Sequence, residues 1–210
     1  FGASARWWKT RLQTRRQTKT KARPARSPYS TPKASQSNST TKASTTLPEK
    51  SKRPSLKFLL ASPVHFFALG CGSGLAPWAP GTFGTLFAWI TFPLFQPHFT
   101  DFGLLLALTA AYLLGIWLID VTGKAIGDPD HGSIVWDEIV PFWLVLLLTP
   151  NTFLWQLSAF ALFRYFDITK PQPARYFDTH VKNGFGVMAD DLVAAGYTLL
   201  CLALLKLVFS

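Results

Sequence analysis

A chain of 210 residues, 49% of them hydrophobic and with positive mean hydropathy, is long enough for one domain with a sizeable core. Its net charge of +10 sits at one end: residues 1–57 hold fifteen of the 21 Lys and Arg and a single acid, Glu49, for +14, whereas 58–210 carry −4. The pI near 9.9 therefore describes a tail and is no ground for a nucleic-acid-binding domain. Two cysteines, one in a Gly-rich stretch (Cys71) and one in an apolar run (Cys201), do not make a disulfide framework.

The tail, residues 1–57, is rich in Ser, Thr, Lys, Arg and Pro and almost free of apolar residues after Trp8. Such a segment cannot bury enough surface to offset its ordering entropy and is expected to be disordered. It reads as a dispensable extension, a basic segment resting on anionic lipid, or an organelle transit peptide. With Phe1 first and Met188 the only methionine, the start is expected to be a fragment end, a processed end or a misassigned extension.

From Phe58 to Thr100 no Asp, Glu, Lys or Arg occurs. Glycines and prolines predict a loop over 70–84, and Thr82 or Gly81 is the expected cap of a helix running to about Phe95. Phe102 to Ile119 is uncharged and close to the roughly 20 residues that a 30 Å hydrocarbon core requires. A polar loop, 121–133, leads to IVPFWLVLLL and, after Thr149-Pro150-Asn151-Thr152, to FLWQLSAFALFRYFD. These two pieces predict either a short helical hairpin dipping into the bilayer or one long kinked helix, with Trp136 marking the membrane boundary. A polar stretch, 169–191, precedes a last span-length helix, Leu192 to Phe209. With no strand alternation, the expected fold is all-α: a membrane-embedded bundle of about five to six helices, 58–210, behind the disordered tail.

The acids fall at helix ends: Asp120 after the first apolar helix, Asp137 and Glu138 before the second, Asp167 after the third, Asp190 and Asp191 before the fourth. If the helices alternate up and down, as short connections favour, these six carboxylates meet at one end of the bundle. Lys124, Arg164, Lys170, Arg175 and Lys182 lie at that end, and the opposite connections have no Lys or Arg, so the acid end is expected to face the cytoplasm. A solvated rim is the plainer reading, because helix dipoles favour acids at N-termini. It suits Asp137, Glu138, Asp190 and Asp191, but not Asp120 or Asp167.

Crowded carboxylates repel unless a cation holds them. Oxygen donors without Cys or a His pair point to Mg²⁺, which commonly binds a few carboxylates, waters and substrate phosphate oxygens. A phosphate substrate follows. Arg164, Asp167 and Lys170, spaced i, i+3, i+6, share roughly one helix face, and Gly81-Thr82 could offer backbone N–H groups to an anion at a helix start. His131 and His180 are each lone loop histidines, which seldom carry chemistry.

Four stretches, GCGSGLAPWAPGTFGTL (70–86), DHGSIVWDEIV (130–140), FRYFDITKPQPARYFD (163–178) and NGFGVMADDLVAAG (183–196), occur in the order and at the spacing of a known family. On these the chain resembles phosphatidylglycerophosphatase A, bacterial inner-membrane enzymes that remove the terminal phosphate of phosphatidylglycerophosphate on the way to cardiolipin. It departs at Gln172, where the family often has Trp, and at Ala195, which precedes the expected Gly. The resemblance implies a Mg²⁺-dependent lipid phosphomonoesterase in the bacterial cytoplasmic membrane. Asp137, Glu138, Asp167, Asp190 and Asp191 would then supply metal ligands and one water-activating base, with Lys170 and Arg164 offsetting phosphoryl charge. No DxDx(T/V) or CX5R signature occurs, which favours water as the nucleophile. The competing readings are a small cation transporter or proton relay using the same carboxylates, and a scaffold recruiting nucleic acid or anionic lipid through the tail.

Overall fold

The computed structural model describes residues 53–209; residues 1–52, most of the expected tail, lie outside the described residues. Among those described, every regular element is helical. Two short helices come first, α1 (Leu56–Leu60) and α2 (Pro63–Ala68). Ser55 and Ser62 start them by accepting the N–H groups of Phe58 and Val64. The tail boundary drawn after residue 57 thus falls inside α1.

A 3-10 segment, Gly70–Leu75, leads into α3 (Pro80–Phe95). Its cap is Ala79, in the left-handed region at φ 48°, rather than Thr82 or Gly81. Pro80, whose ring presets the helical φ, starts the helix early and places Gly81 and Thr82 in its first turn. Helix α4 (Asp101–Ile126) is capped by the Thr100 side chain and stopped by Gly127 at φ 85°. It therefore continues past Asp120, which the sequence places at a helix end.

Helices α5 (Trp136–Leu148) and α6 (Phe153–Thr169) are separate arms of a hairpin, not one kinked helix. After α7 (Ala174–His180), α8 runs from Gly184 to Phe209, so Asp190 and Asp191 lie two turns inside it rather than at its start.

The five long helices alternate in direction. Helix α5 is the central one, packed against α3, α4, α6 and α8. Its sequence dictates this: after Glu138 it has no polar residue, so it is apolar on every side and must be covered on every side. Ile139, Phe142 and Val145 are fully buried. Each such side chain contributes about 1.5–3 kcal/mol. Trp136 also packs inside the bundle, its Nε1–H donating to the Ala111 carbonyl at 3.2 Å, rather than standing at the rim.

Helices α4 and α8 are long and apolar enough to cross a membrane, by length and composition. At 1.5 Å per residue, 26 residues reach about 39 Å. Only 28% of each apolar window is buried, with Leu106, Leu113, Trp117, Leu200 and Leu204 on the outside. A core helix of a water-soluble bundle would hide these residues. Lys206, on α8, lies by the α5–α6 turn at the opposite end from the other basic residues of the bundle.

Candidate active site

The alternation of the helices brings the start of α5, the end of α6 and the second turn of α8 to one end of the bundle. Asp137, Glu138, Asp167, Lys170, Asp190 and Asp191 there line one small cavity of about 90 Å³, with Asp130 and His131 on its edge. The local chain explains each placement. Val135, ahead of α5, is fixed by its N–H bond to the Ala68 carbonyl at 3.0 Å, which sets Asp137 and Glu138 in the first turn. Asp190 and Asp191 project inward from a helix wall that also buries Val187, Met188 and Ala194.

Glu138 lies against α3. A Cβ on Gly81 would stand 1.8 Å from Glu138 Oε1, and one on Gly84 3.0 Å from Glu138 Oε2. The glycines of PGTFG are there because a carboxylate occupies the space a side chain would need. Neither Gly81 nor Thr82 lines the cavity.

Arg164 stands behind the acids. One guanidinium nitrogen donates to Glu138 Oε1 at 3.1 Å and meets Asp167 Oδ2 at 2.5 Å, with Thr85 Oγ1 at 3.5 Å. Lys170 caps α6 in the left-handed conformation, φ 43°. That unusual turn for a non-glycine residue swings its ammonium away from α6. Its Nζ sits between Asp178 Oδ1 at 2.7 Å and Asp190 Oδ2 at 2.5 Å. Lys170 and Arg164 thus do not share one helix face, since the helix ends at Thr169.

Five buried or nearly buried carboxylates face two cations, which leaves the cavity electrically incomplete. Asp137 Oδ1 and Glu138 Oε2 are buried and have no hydrogen-bond partner. Burial, then the Glu138 and Asp190 charges, hold Asp137 well above the usual carboxylate range. Burial and the Asp167 charge push Glu138 up to about 8 despite Arg164. Burial acts to lower the Lys170 pKa, but the Asp190 charge and its hydrogen bonds to Asp178 and Asp190 outweigh that and hold it above the usual range.

Asp120 does not belong to the cavity. Its Oδ1 accepts the N–H of Gly184 at 2.6 Å and so caps α8 from α4, while Asn183 Oδ1 takes the N–H of Gly186 at 3.0 Å. His180 stacks on Tyr176, and His131 Nδ1 receives the Ser133 N–H, which shapes the loop before α5. Two acids that the sequence reading passed over take part: Asp178, the partner of Lys170, and Asp130, which pairs loosely with Lys182 at 3.6 Å. The available signal for Asp178 was its position in the PARYFD stretch, on a helix too short and polar to show periodicity.

The donors fit a hard divalent cation in kind: carboxylate oxygens only, two of them buried without a partner. They are not gathered into a finished cage, since among the described residues no three acid, His or Cys side chains close around one point. Several of the carboxylates are turned toward Arg164 and Lys170 instead.

The Phosphatidylglycerophosphatase A family model matches residues 66–206. The chain is 45% identical over 148 residues to Phosphatidylglycerophosphatase A of Haemophilus influenzae, covering 70% of this chain and 91% of that one. It is 38% identical over 156 residues to Phosphatidylglycerophosphatase A of Escherichia coli, covering 71% and 87%. A provisionally named phosphatidylinositol-3-phosphatase of Bacteroides thetaiotaomicron is 38% identical over 170 residues, covering 76% and 99%. No solved structure matches the chain.

Proposed function

The chain belongs to the phosphatidylglycerophosphatase A family, and we propose that it hydrolyses the terminal phosphate of phosphatidylglycerophosphate to give phosphatidylglycerol, with Mg²⁺, at the cytoplasmic face of the bacterial inner membrane. It is a lipid phosphatase, a phosphoric monoester hydrolase. The observation that carries this reading is the cavity of uncompensated carboxylates at one end of two span-length apolar helices. A phosphate monoester is itself an anion, so it cannot enter such a cavity unless positive charge enters with it.

Asp137, Glu138, Asp167, Asp190 and Asp191 would hold the cation between them. Bound there, Mg²⁺ would supply Lewis-acid stabilisation of phosphoryl charge and would lower the pKa of water. Asp137 Oδ1 and Glu138 Oε2 bear no donor, so these oxygens are open to the cation, and one of the five acids, its proton displaced by the cation, would take the proton of the attacking water. Lys170, held at the cavity by Asp178 and Asp190, offers N–H groups to the oxygens of the departing phosphate. Arg164 keeps Glu138 and Asp167 in register across two helices and counters their mutual repulsion. The carboxylates gather at one end and are not staggered through the bundle, which argues against a transport path.

The test is phosphate release from phosphatidylglycerophosphate in detergent micelles, with and without EDTA, by the unchanged protein, Asp137→Asn and Asp190→Asn. Activity should vanish in EDTA, return with Mg²⁺, and fall by about 10²-fold or more in each variant. Turnover undiminished by chelator would remove the metal from this account.

A further inference from the structure

A second cavity, of about 240 Å³, opens between α4, α5 and α8, and its walls are almost wholly apolar. Leu105, Thr109 and Tyr112 form its α4 side, Pro141 and Leu144 its α5 side, and Leu192 closes it from α8. The Thr109 hydroxyl is turned onto the Leu105 carbonyl at 2.8 Å, so the residue presents its methyl group.

The register of the helices sets this groove next to the acid cavity. Pro141 and Leu144 stand four and seven residues beyond Asp137, one and two turns along the same face of α5. Leu192 follows Asp191 directly, and on α4 Tyr112 lies three residues before Gly115, where a Cβ would stand 3.0 Å from the sulfur of Met188, two residues before Asp190. In α5 and α8 the groove residues come after the acids. In α4, which runs the other way, they come before the site end. The groove thus starts beside the carboxylates and extends away from them for about 10 Å, seven residues of helical rise. A phospholipid whose phosphate reaches the acids has its hydrocarbon running in this direction. Exposed apolar residues elsewhere, such as Ile90 and Leu94, stand on the outer side of α3 and do not line this cavity.

We infer that the groove between α4, α5 and α8 is a binding site for one acyl chain of the phospholipid whose headgroup occupies the acid cavity. This rests on the lipid-phosphatase reading and adds to it a hydrocarbon subsite that sets how the headgroup is presented.

Thr109→Trp and Leu105→Trp fill the groove from its exposed lip without entering the core, and Leu94→Trp on the outer side of α3 is the control. Two substrates separate the effects: diacyl phosphatidylglycerophosphate in micelles, and its water-soluble deacylated headgroup. A chain kept out of the groove stays in the micelle at little cost in hydrophobic free energy, but its headgroup is then presented about 1 Å or more out of place, so kcat/KM for the diacyl lipid should fall at least about tenfold in Thr109→Trp and Leu105→Trp. Turnover of the deacylated compound should stay unchanged, and Leu94→Trp should alter neither. Equal losses on both substrates, or no loss on the lipid, overturn the inference. Photocrosslinking with phosphatidylglycerol carrying a diazirine in one acyl chain gives a readout independent of turnover. Labelling concentrated in residues 105–112 and removed by Thr109→Trp supports the groove, and labelling spread evenly to Ile90 and Leu94 overturns it. If the unchanged protein turns over neither substrate, the phosphatase reading fails by itself, and the crosslinking still decides the groove.

Discussion

Replacing Gly81 with Ala adds one methyl group to the first turn of α3 and brings it to 1.8 Å from Glu138 Oε1 and 2.7 Å from Cδ. Ordinary contact begins near 3.4 Å, so the carboxylate has to retreat by about 1.5 Å; displacements of about 1 Å at a reacting centre cost about 10²-fold in rate. Retreat is constrained on two sides. Arg164 grips Oε1, and Gly84 lies so near the other oxygen that a Cβ there would stand 3.0 Å from Oε2. Overpacking costs about 1–3 kcal/mol, and the higher helix propensity of Ala returns up to about 1 kcal/mol. The unfolding temperature in detergent should therefore move by only a few degrees while phosphate release falls about 100-fold. The contrast with an anion-cradle role is sharp, because Ala keeps the backbone N–H that such a cradle uses. Activity within about threefold of the unchanged protein would show that Glu138 does not occupy the space beside Gly81 or is not needed there.

Asp120→Ala removes one of the two side-chain caps of α8, leaving that of Asn183, and should lower stability by about 0.5–2 kcal/mol, while Asp120→Asn, which retains an acceptor, should lie close to the unchanged protein; kcat should differ little in either, measured beside thermal unfolding. In EDTA, stability should fall as pH rises from about 5 to about 8. Glu138 has its folded-state pKa raised to about 8, so the folded protein binds that proton more tightly than the unfolded chain, and the advantage disappears as pH passes the folded value. Denaturant unfolding at several pH values checks this, and Glu138→Gln should flatten the slope.

Much of the bundle can be read from sequence because its signals are local. Apolar runs broken by short turns give the long helices, and their alternation predicts that Asp137, Asp167 and Asp190 meet. The errors arise where a distant partner sets the outcome. Val121 to Ile126 reads as loop because it contains Thr, Gly and Lys, yet Thr122 is buried against His65, with 3.0 Å between Oγ1 and Nδ1, and the helix continues to Gly127. Asn183-Gly184-Phe185-Gly186 reads as loop because of its glycines, but Gly184 is pressed so closely on α4 that a Cβ would stand 2.1 Å from the Ile116 carbonyl. Asp120, 64 residues away, joins Asn183 in capping α8 there. The same contact takes Asp120 out of the cluster in which sequence logic placed it. Asp178 escaped because its role depends on the left-handed turn at Lys170, and a lysine gives no hint of positive φ.

The hairpin of α5 and α6 is closed at one end by the peptide chain through Thr149–Thr152 and at the other by Arg164 joining Glu138 to Asp167. It is a ring with one covalent and one ionic clasp. A ligand that drew Glu138 away from Arg164 would open the ionic clasp, the one that crosses between the arms, and leave the covalent one unchanged. A probe of the Glu138–Arg164 contact would then report on the occupancy of the site.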